Sequence, residues 1–446
     1  MTQKPLLSNK QIWNINFGFL GLQICLTLIL ANTSRILSGL GANIDQLPLL
    51  WLAPPLAGLI IQPIVGYMSD HTWSKWGRRI PYVFAGSIIT ALMMLLMPNS
   101  FILNNIFSVI ISITFILFWT QSALNISMQP YRSLVADMLD SKQSSKGYST
   151  QTVLTNIGGI IGSFLPFILA QAGVNNQSAY EGRIADTVTW SFYIAAGTLL
   201  LTSIKTCFSV KEYPPQLFES YNNTISSQTK TANRGTRKAL FSLMQIAIVQ
   251  MFSWLAFFFF WVYTTDALAE TIWNTNDASS SAYNDAGNWY GVLTGVYSVT
   301  AAIFSFYIPK ISNRIGRKTL YSLALFTGGL GMVLFSYIKD QYLLLLPMIA
   351  LGISWALVLT IPFTIMNEIA PIKKMGFYMG LLNITIVLPQ IIGGLTGNFI
   401  FVNIAGKSSI TMMLIAGICL LLASISVYFI KLRKEPLEEA TANNIK

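Results

Sequence analysis

Eleven long runs without an acidic or basic residue constrain the fold of this chain more than any other feature of its sequence. A helix that crosses a bilayer needs about 20 apolar residues. Ten runs hold one such helix each, and the longest, 80–131, holds two with turn residues near Pro98 and Asn99 between them. The sequence therefore predicts an all-α membrane protein with twelve transmembrane helices. The runs cover residues 11–34, 46–69, 80–131, 147–180, 187–204, 239–265, 286–309, 319–338, 341–367, 375–406 and 408–430.

The scarcity of charge agrees with this prediction. Charged residues make up 10% of the 446 residues, whereas a soluble domain carries about 25%, so lipid must be the main solvent. The three cysteines, Cys25, Cys207 and Cys419, lie in apolar stretches without paired spacing, and His71 is the single histidine. The sequence therefore predicts no disulfide framework, no metal site and no cofactor.

The net charge of +11 is a topology signal. An even number of spans puts both termini on one side, and that side receives 24 of the 28 basic residues. The other side holds only Arg35, Arg183, Lys339 and Lys407. The positive-inside rule then predicts a multi-pass protein of the inner (plasma) membrane with both termini in the cytoplasm. Nucleic acid is not an expected partner, and we expect a monomer in the bilayer.

A polar stretch divides the chain into an N-terminal half of six helices (1–207), a flexible cytoplasmic linker (208–238), and a C-terminal half with a short tail (239–446). The basic turns Gly77-Arg78-Arg79 and Gly316-Arg317-Lys318 occupy the same position in the two halves, six helices apart. This spacing indicates a parallel repeat, whose substrate site would lie at the midplane between the halves.

The first basic turn is a candidate gate. Asp70 can cap the next helix or accept hydrogen bonds from Arg78 or Arg79, and these arginines can latch onto the other half when the cytoplasmic side closes. The alternative is that the arginines only set the topology. Arg314 and Arg317 are the corresponding gating candidates in the second half.

Four segments resemble the sucrose transporters, which belong to the glycoside–cation symporters of the major facilitator superfamily. The segment PLAGLIIQPIVGYMSD at 55–70, followed by GRRIP at 77–81, resembles their signature. Leu22-Gln23, PYRSLVAD at 130–137 and NITIVLPQ at 383–390 are similar to further family segments in the same order. The resemblance implies the major facilitator fold of two six-helix halves, and a saccharide as substrate.

Two positions depart from the family pattern. Plant members carry a proton-coupling aspartate eleven residues before a substrate-contacting arginine; here Gln121 takes the place of the aspartate, and the arginine is Arg132. Trp289 stands where the family has an arginine in helix eight. The resemblance thus implies that Arg132 contacts the sugar, and it leaves open which acid, if any, couples a proton.

The spans contain the side chains that a sugar site needs. Sugar hydroxyls require amide and hydroxyl partners, and the apolar C–H face of the ring requires an aromatic surface. Buried amides need hydrogen bonds to protein groups or to water, so we expect them to face the bundle interior. For any single residue, the alternative to a sugar contact is a hydrogen bond between helices. The candidates are Gln23, Trp119, Gln121, Asn125, Arg132, Asn156, Trp254, Trp261, Trp355, Asn383 and Gln390.

Acidic residues lie only near the ends of the spans. Asp137, Glu368 and Asp266 are the candidates for binding a coupled proton, and pairing with loop arginines is the alternative. The prediction is a transporter rather than an enzyme, which imports a small saccharide together with a proton. An uncoupled sugar facilitator, a drug-efflux carrier and a polytopic sensor remain as alternatives.

Overall fold

The computed structural model describes residues 4–103, 108–178, 183–226, 236–369 and 375–430. In these ranges the regular structure is helical, apart from one isolated bridge between Ser74 and Gly77. The helices are α1 (Asn9–Asn16), α2 (Gly18–Gly39), α3 (Leu47–Leu50), α4 (Ala53–His71), α5 (Ile80–Leu96), α6 (Val109–Met138), α7 (Ser141–Gln171), α8 (Asp186–Ser209), α9 (Pro215–Ser226), α10 (Thr236–Thr271), α11 (Ser281–Ile315), α12 (Arg317–Phe335), α13 (Leu345–Ile369), α14 (Met375–Asn403) and α15 (Ser409–Ser426).

The described helices supply twelve apolar segments. Eleven are long and apolar enough to cross a membrane, with α1–α2 and the stretch from Ile44 through α4 each counting as one. The twelfth, α5, has 17 residues, which is close to the lower limit for a spanning helix. The predicted turn inside 80–131 falls between Leu96 and Val109, where α5 ends and α6 begins. The all-α fold of twelve helices is therefore confirmed.

Equivalent contacts recur in the two halves. In the first half the hydroxyl of Ser87 on α5 donates to that of Ser203 on α8 at 2.9 Å. In the second half Ser322 on α12 and Ser424 on α15 approach at 3.0 Å. Each pair joins the third and sixth spans of its half. Such hydroxyl bonds hold helices together where lipid offers no competing partner, and their recurrence agrees with the repeat inferred from the basic turns.

Both basic turns depend on a glycine. Gly77 and Gly316 have φ angles of 114° and 83°, a region that glycine enters without the steric cost that a side chain brings. Gly316 directly precedes α12, and Gly77 precedes the arginines that lead into α5. The same backbone device therefore starts the third span of each half.

The linker is folded over its first part. Residues Pro215–Ser226 form α9, and Phe218 packs against the loop between α4 and α5. The centroid of the Phe218 ring lies 4.2 Å from the guanidinium carbon of Arg78 and 5.9 Å from the centroid of the Trp73 ring. The expectation of a flexible linker therefore does not describe residues 215–226, because aromatic contacts anchor them to the first half.

The halves meet toward one end of the bundle. We call the end that carries the α4–α5 loop and α9 the linker face, and the opposite end the distal face. Gln62, halfway along α4, marks the middle of the bundle. Every hydrogen bond between the halves found among the described residues involves Gln62 or lies on its distal side. The described hydrogen bonds between the halves therefore lie from Gln62 toward the distal face, and none of them lies on the linker side of Gln62.

Candidate functional site

One face of α6 carries three of the polar candidates. Gln121 and Arg132 are eleven residues apart, about three turns, so they lie on the same face with Asn125 near them. The side chains of Gln121 and Asn125 are buried, whereas Arg132 is exposed. No described residue accepts a hydrogen bond from Arg132 in this structure. The guanidinium is therefore available to a solute as far as the described residues show.

Gln62 links this face to the other half of the molecule. Its Nε2 donates to Asn125 Oδ1 at 2.7 Å, and its Oε1 accepts from Asn383 Nδ2 on α14 at 3.4 Å. Asn383 was a predicted site residue, but Gln62 was not, although it lies inside the signature segment. An amide one residue before the helix proline Pro63 is the signal that could have singled it out.

Aromatic rings form a cluster in the second half. Trp254 and Trp261 lie two turns apart on α10, and Trp355 reaches them from α13, with ring centroids 5.5–6.2 Å apart. The Trp254 indole N–H donates to Gln250 Oε1 at 2.7 Å, which fixes the orientation of the ring. Phe257 packs on Trp355 at 4.7 Å. The three predicted tryptophans therefore come together as one cluster in the second half.

Several buried N–H donors lack an acceptor among the described residues. They are the side-chain nitrogens of Gln121, Gln151 and Gln250. Buried donors of this kind are rare, because leaving one unpaired costs about 1–3 kcal/mol. Water or a solute that carries hydroxyl oxygens would satisfy them.

The remaining polar candidates are placed less centrally. Gln23 donates to Thr27 at 3.2 Å, and Gln390 donates to the carbonyl of Ile386 at 3.0 Å, so each bonds within its own helix. Asn156 is half-buried on the face of α7 that meets α11 further along.

The structure does not bring Trp119 together with the other candidates. It lies on the face of α6 opposite Gln121, because two residues turn a helix by about 200°. There it forms an exposed apolar stripe with Ile111 and Phe115, which is typical of a surface in contact with lipid.

Trp289 also lies away from the central tryptophans. Its indole N–H donates to the carbonyl of Gln341 at 3.1 Å, and its ring contacts Tyr342 at 5.4 Å.

A network of ion pairs surrounds the first basic turn. Asp137 at the end of α6 accepts from Arg78 Nη2 at 2.5 Å and from Arg79 Nε at 2.9 Å. Arg79 also contacts Asp70 at 2.5 Å. The Glu212 carboxylate accepts from the backbone N–H groups of Arg79 and Ile80, both at 2.8 Å.

The described partners of this network all belong to the first half and the segment that follows it. The hypothesised latch onto the second half is therefore not formed in this conformation. Asp137 pairs with Arg78 and Arg79 and not with Arg132, so this acid follows the alternative in which it is held by loop arginines. Arg314 is exposed at the end of α11, and Arg317 begins α12. The side chain of Glu368 lies outside the described residues.

The distal face is held by a buried arginine. Arg35, in the last turns of α2, donates from Nε to Asn284 Oδ1 at 2.8 Å and from Nη1 to Asn288 Oδ1 at 2.7 Å, both on α11. Its Nη2 donates to Asn176 Oδ1 at 3.1 Å, and Asn176 donates to Asp285 at 2.6 Å. We call this network of Arg35, Asn176, Asn284 and Asn288 the distal latch.

Counting basic residues along the sequence places Arg35 outside the membrane. In the structure its side chain is only 3% exposed and lies between the two halves. The two asparagines spaced four residues apart on α11 were the available signal for its partners. Asp266, a predicted proton-binding residue, lies near this latch on α10 and accepts from the Tyr283 hydroxyl at 2.8 Å.

Known proteins resemble this chain in sequence and in architecture. Residues 39–370 match the family described as MFS/sugar transport protein. The chain is 24% identical over 431 residues to the sucrose transport protein SUT1 of Oryza sativa subsp. japonica, covering 83% of this chain and 78% of that protein. It is 25% identical over 275 residues to the general alpha-glucoside permease of Schizosaccharomyces pombe, covering 58% of this chain and 48% of the permease.

Solved structures of transporters have the same fold. The nucleoside transporter NupG matches with a TM-score of 0.63 at 15% identity, over 96% of this chain and all of NupG. A D-xylose–proton symporter matches with a TM-score of 0.65 at 14% identity, over 94% of this chain and 95% of the symporter. These proteins are transporters and not enzymes. Because the family match spans most of the chain, the protein belongs to the MFS/sugar transport protein family.

Proposed function

We propose that this protein imports a small saccharide or glycoside, such as sucrose or maltose, together with a proton by alternating access. The observation that carries the proposal is the combination, in one bundle, of a tryptophan cluster with buried N–H donors that lack described acceptors. Tryptophan rings suit the apolar C–H face of a sugar, and amide donors suit its hydroxyl oxygens. The relatives that carry sucrose and alpha-glucosides support this substrate class.

In this proposal the two halves have different tasks. Gln121, Asn125 and Arg132 on α6 bind the hydroxyl groups of the sugar, while Trp254 and Trp355 cover one face of its ring. The linker face is cytoplasmic, as the distribution of basic residues indicates. The structure then corresponds to the inward-open state, in which the sugar leaves toward the cytoplasm.

An uncoupled facilitator is the second candidate. It is favoured by the neutral Gln121 and by Asp137, which is already engaged by two arginines. A coupled carrier needs a carboxyl group that gains and loses a proton during the cycle. Asp266 is a candidate for this carboxyl group, because its buried Oδ2 has no hydrogen-bond donor among the described residues and could carry the proton.

Uptake into proteoliposomes tests the proposal. Purified protein should give saturable uptake of labelled sucrose or maltose, and an inward proton gradient should raise the accumulated level above equilibrium. Uptake that equilibrates and ignores the gradient would favour the facilitator. Apolar drugs transported in place of saccharides would refute the sugar assignment.

A further inference from the structure

A cavity lies beside the distal latch. It has a volume of about 570 Å³ and is lined by both halves of the protein. Ser38 and Asp45 come from the first half, and Asp266, Tyr283 and Lys407 come from the second. Because the two halves form its walls together, the cavity must change shape whenever they separate at the distal face.

Two buried carboxylate oxygens in the walls of this cavity, Asp266 Oδ2 and Asp45 Oδ1, have no hydrogen-bond partner among the described residues. The Asp266 side chain is 4% exposed. A buried carboxylate with an unpaired oxygen is costly to keep ionised. A proton on Oδ2 removes the charge and turns the oxygen into a donor for a neighbouring oxygen.

Asp266 is connected to the latch through adjacent residues of one helix turn. Its Oδ1 accepts from the Tyr283 hydroxyl at 2.8 Å. Tyr283 immediately precedes Asn284 in the first turn of α11, and Asn284 accepts from Arg35 Nε at 2.8 Å. The carboxyl group therefore helps to position the helix end that holds Arg35.

Other charges near Asp266 do not replace this role. Glu270 receives hydrogen bonds from the Ser409 backbone N–H at 3.3 Å and from the Ser408 hydroxyl at 3.5 Å. Asp266, by contrast, has a single described side-chain donor, the neutral hydroxyl of Tyr283. The titratable and charged groups that face this region are Tyr263 and Glu270 on α10, Tyr283 on α11, Arg35 on α2, Asp45 in the turn before α3, and Lys407 before α15.

We propose that Asp266 binds a proton when the distal face closes, so that the latched state is the protonated state of this carboxyl group. When the halves separate at the distal face, the cavity wall opens to water and Asp266 can ionise at little cost. Closure buries the carboxyl again and favours uptake of one proton. Acid therefore stabilises the closed distal face. The inference rests on the alternating-access part of the proposed function, and it concerns a proton that is gained and lost at the distal face rather than the one imported with the sugar.

The distance across the distal face tests this assignment without any sugar. Spin labels at the exposed Gln177 and Asn276 report on the first and second halves, in a chain whose three cysteines are replaced. The ratio of closed to open molecules should fall as the pH rises, by at most about tenfold per pH unit for one linked proton. Asp266→Asn should keep the distal face closed at all pH values, because the amide is neutral.

Glu270→Gln is the matched control: the pH response should remain, with its transition moved to lower pH because a negative charge near Asp266 is lost. Tyr283→Phe gives a second reading if Asp266→Asn fails to fold. Loss of the hydroxyl donor should move the transition to higher pH, because the carboxylate loses a stabilising hydrogen bond. A distance distribution that does not change with pH, or an unaltered response in Asp266→Asn or Tyr283→Phe, overturns the proposal. Since no sugar is present, failure of the sugar assignment leaves this test unaffected.

Discussion

Arg35 is a buried cation whose Nη1 donates to a neutral amide oxygen, Asn288 Oδ1, at 2.7 Å across the boundary between the two halves. No described carboxylate lies within ion-pair distance of this guanidinium. Separating two opposite charges in a dry interface would be expensive. Amide partners hold the arginine with directional bonds and release it at a lower cost, which suits a contact that must break in every cycle.

The first prediction concerns Arg35→Lys. Lysine keeps the charge but cannot reach Asn284, Asn288 and Asn176 together, because it lacks the planar fork. Loss of bonds worth about 1.5–3 kcal/mol each should shift molecules toward the distally open state by at least about tenfold. Spin-label distances across the distal face would measure the shift. Arg183→Lys is the control, because Arg183 packs on Phe101 within the same half. An unchanged closed population would contradict the latch.

The tryptophan cluster supplies a second, internally controlled prediction. Trp355→Ala should weaken sucrose or maltose binding by roughly twofold to tenfold, the equivalent of about 0.5–1.5 kcal/mol of ring contact. Trp119→Ala should leave the affinity unchanged, because Trp119 lies on the opposite face of α6. Titration calorimetry on the purified protein gives both numbers. Equal losses in the two variants would show that the cluster is not the sugar surface.

The fold could be predicted from the sequence because it depends on the lengths of the uncharged stretches. Each helix satisfies its own backbone hydrogen bonds in lipid, so an uncharged stretch of sufficient length gives a span wherever it occurs. The site could be predicted only in part. By residue type, Trp119 and Trp355 are equally good candidates for the sugar site. Whether a side chain points into the bundle, however, depends on which face of its helix packs inward. The turn of about 100° per residue separates Trp119 from Gln121.

The distal latch could not be predicted from charge counting. Arg35 follows an uncharged run and therefore resembles a loop charge, whereas α2 continues to Gly39 and carries the arginine into the interface. Its partners come from segments 141 to 253 residues away. Such pairing is decided by how the halves pack, which a single sequence does not reveal.

Arg132 is the subject of the third prediction. Arg132→Ala should weaken sugar binding at least tenfold, about 1.4 kcal/mol, because a charged donor to a hydroxyl is lost. Gln121→Asp should fold normally and make uptake depend more steeply on pH, since a carboxyl on the face that carries Arg132 can titrate. Binding assays and uptake between pH 5 and 8 would check both changes. Unchanged affinity in Arg132→Ala would refute its role as a sugar contact.

The charges at the linker face give a fourth prediction. Asp137 pairs with two arginines and is 16% exposed, whereas Asp70 pairs with one and is 54% exposed. Asp137→Asn should therefore cost about 1–3 kcal/mol of stability, and Asp70→Asn less than about 1 kcal/mol. The unfolding midpoint Tm in one detergent compares them. Both variants should transport more slowly with nearly unchanged sugar affinity; affinity that falls in step with transport would argue against a purely conformational role.

Glu212 provides the last prediction, on pH. Burial raises the pKa of this carboxyl above its ordinary value, although hydrogen bonds from the backbone of Ile80 and Arg79 partly offset the shift. The folded state therefore holds the proton to higher pH than the unfolded chain does, and stability is lost as the pH rises from the unfolded pKa through the folded one. Glu212→Gln keeps an oxygen that can accept from both N–H groups but cannot ionise. Its Tm relative to the unsubstituted chain should therefore increase as the pH rises across that window. Glu212→Ala, which removes the acceptor, should lower Tm throughout. A difference between Glu212→Gln and the unsubstituted chain that is the same at every pH would show that this carboxyl does not titrate in the folded protein.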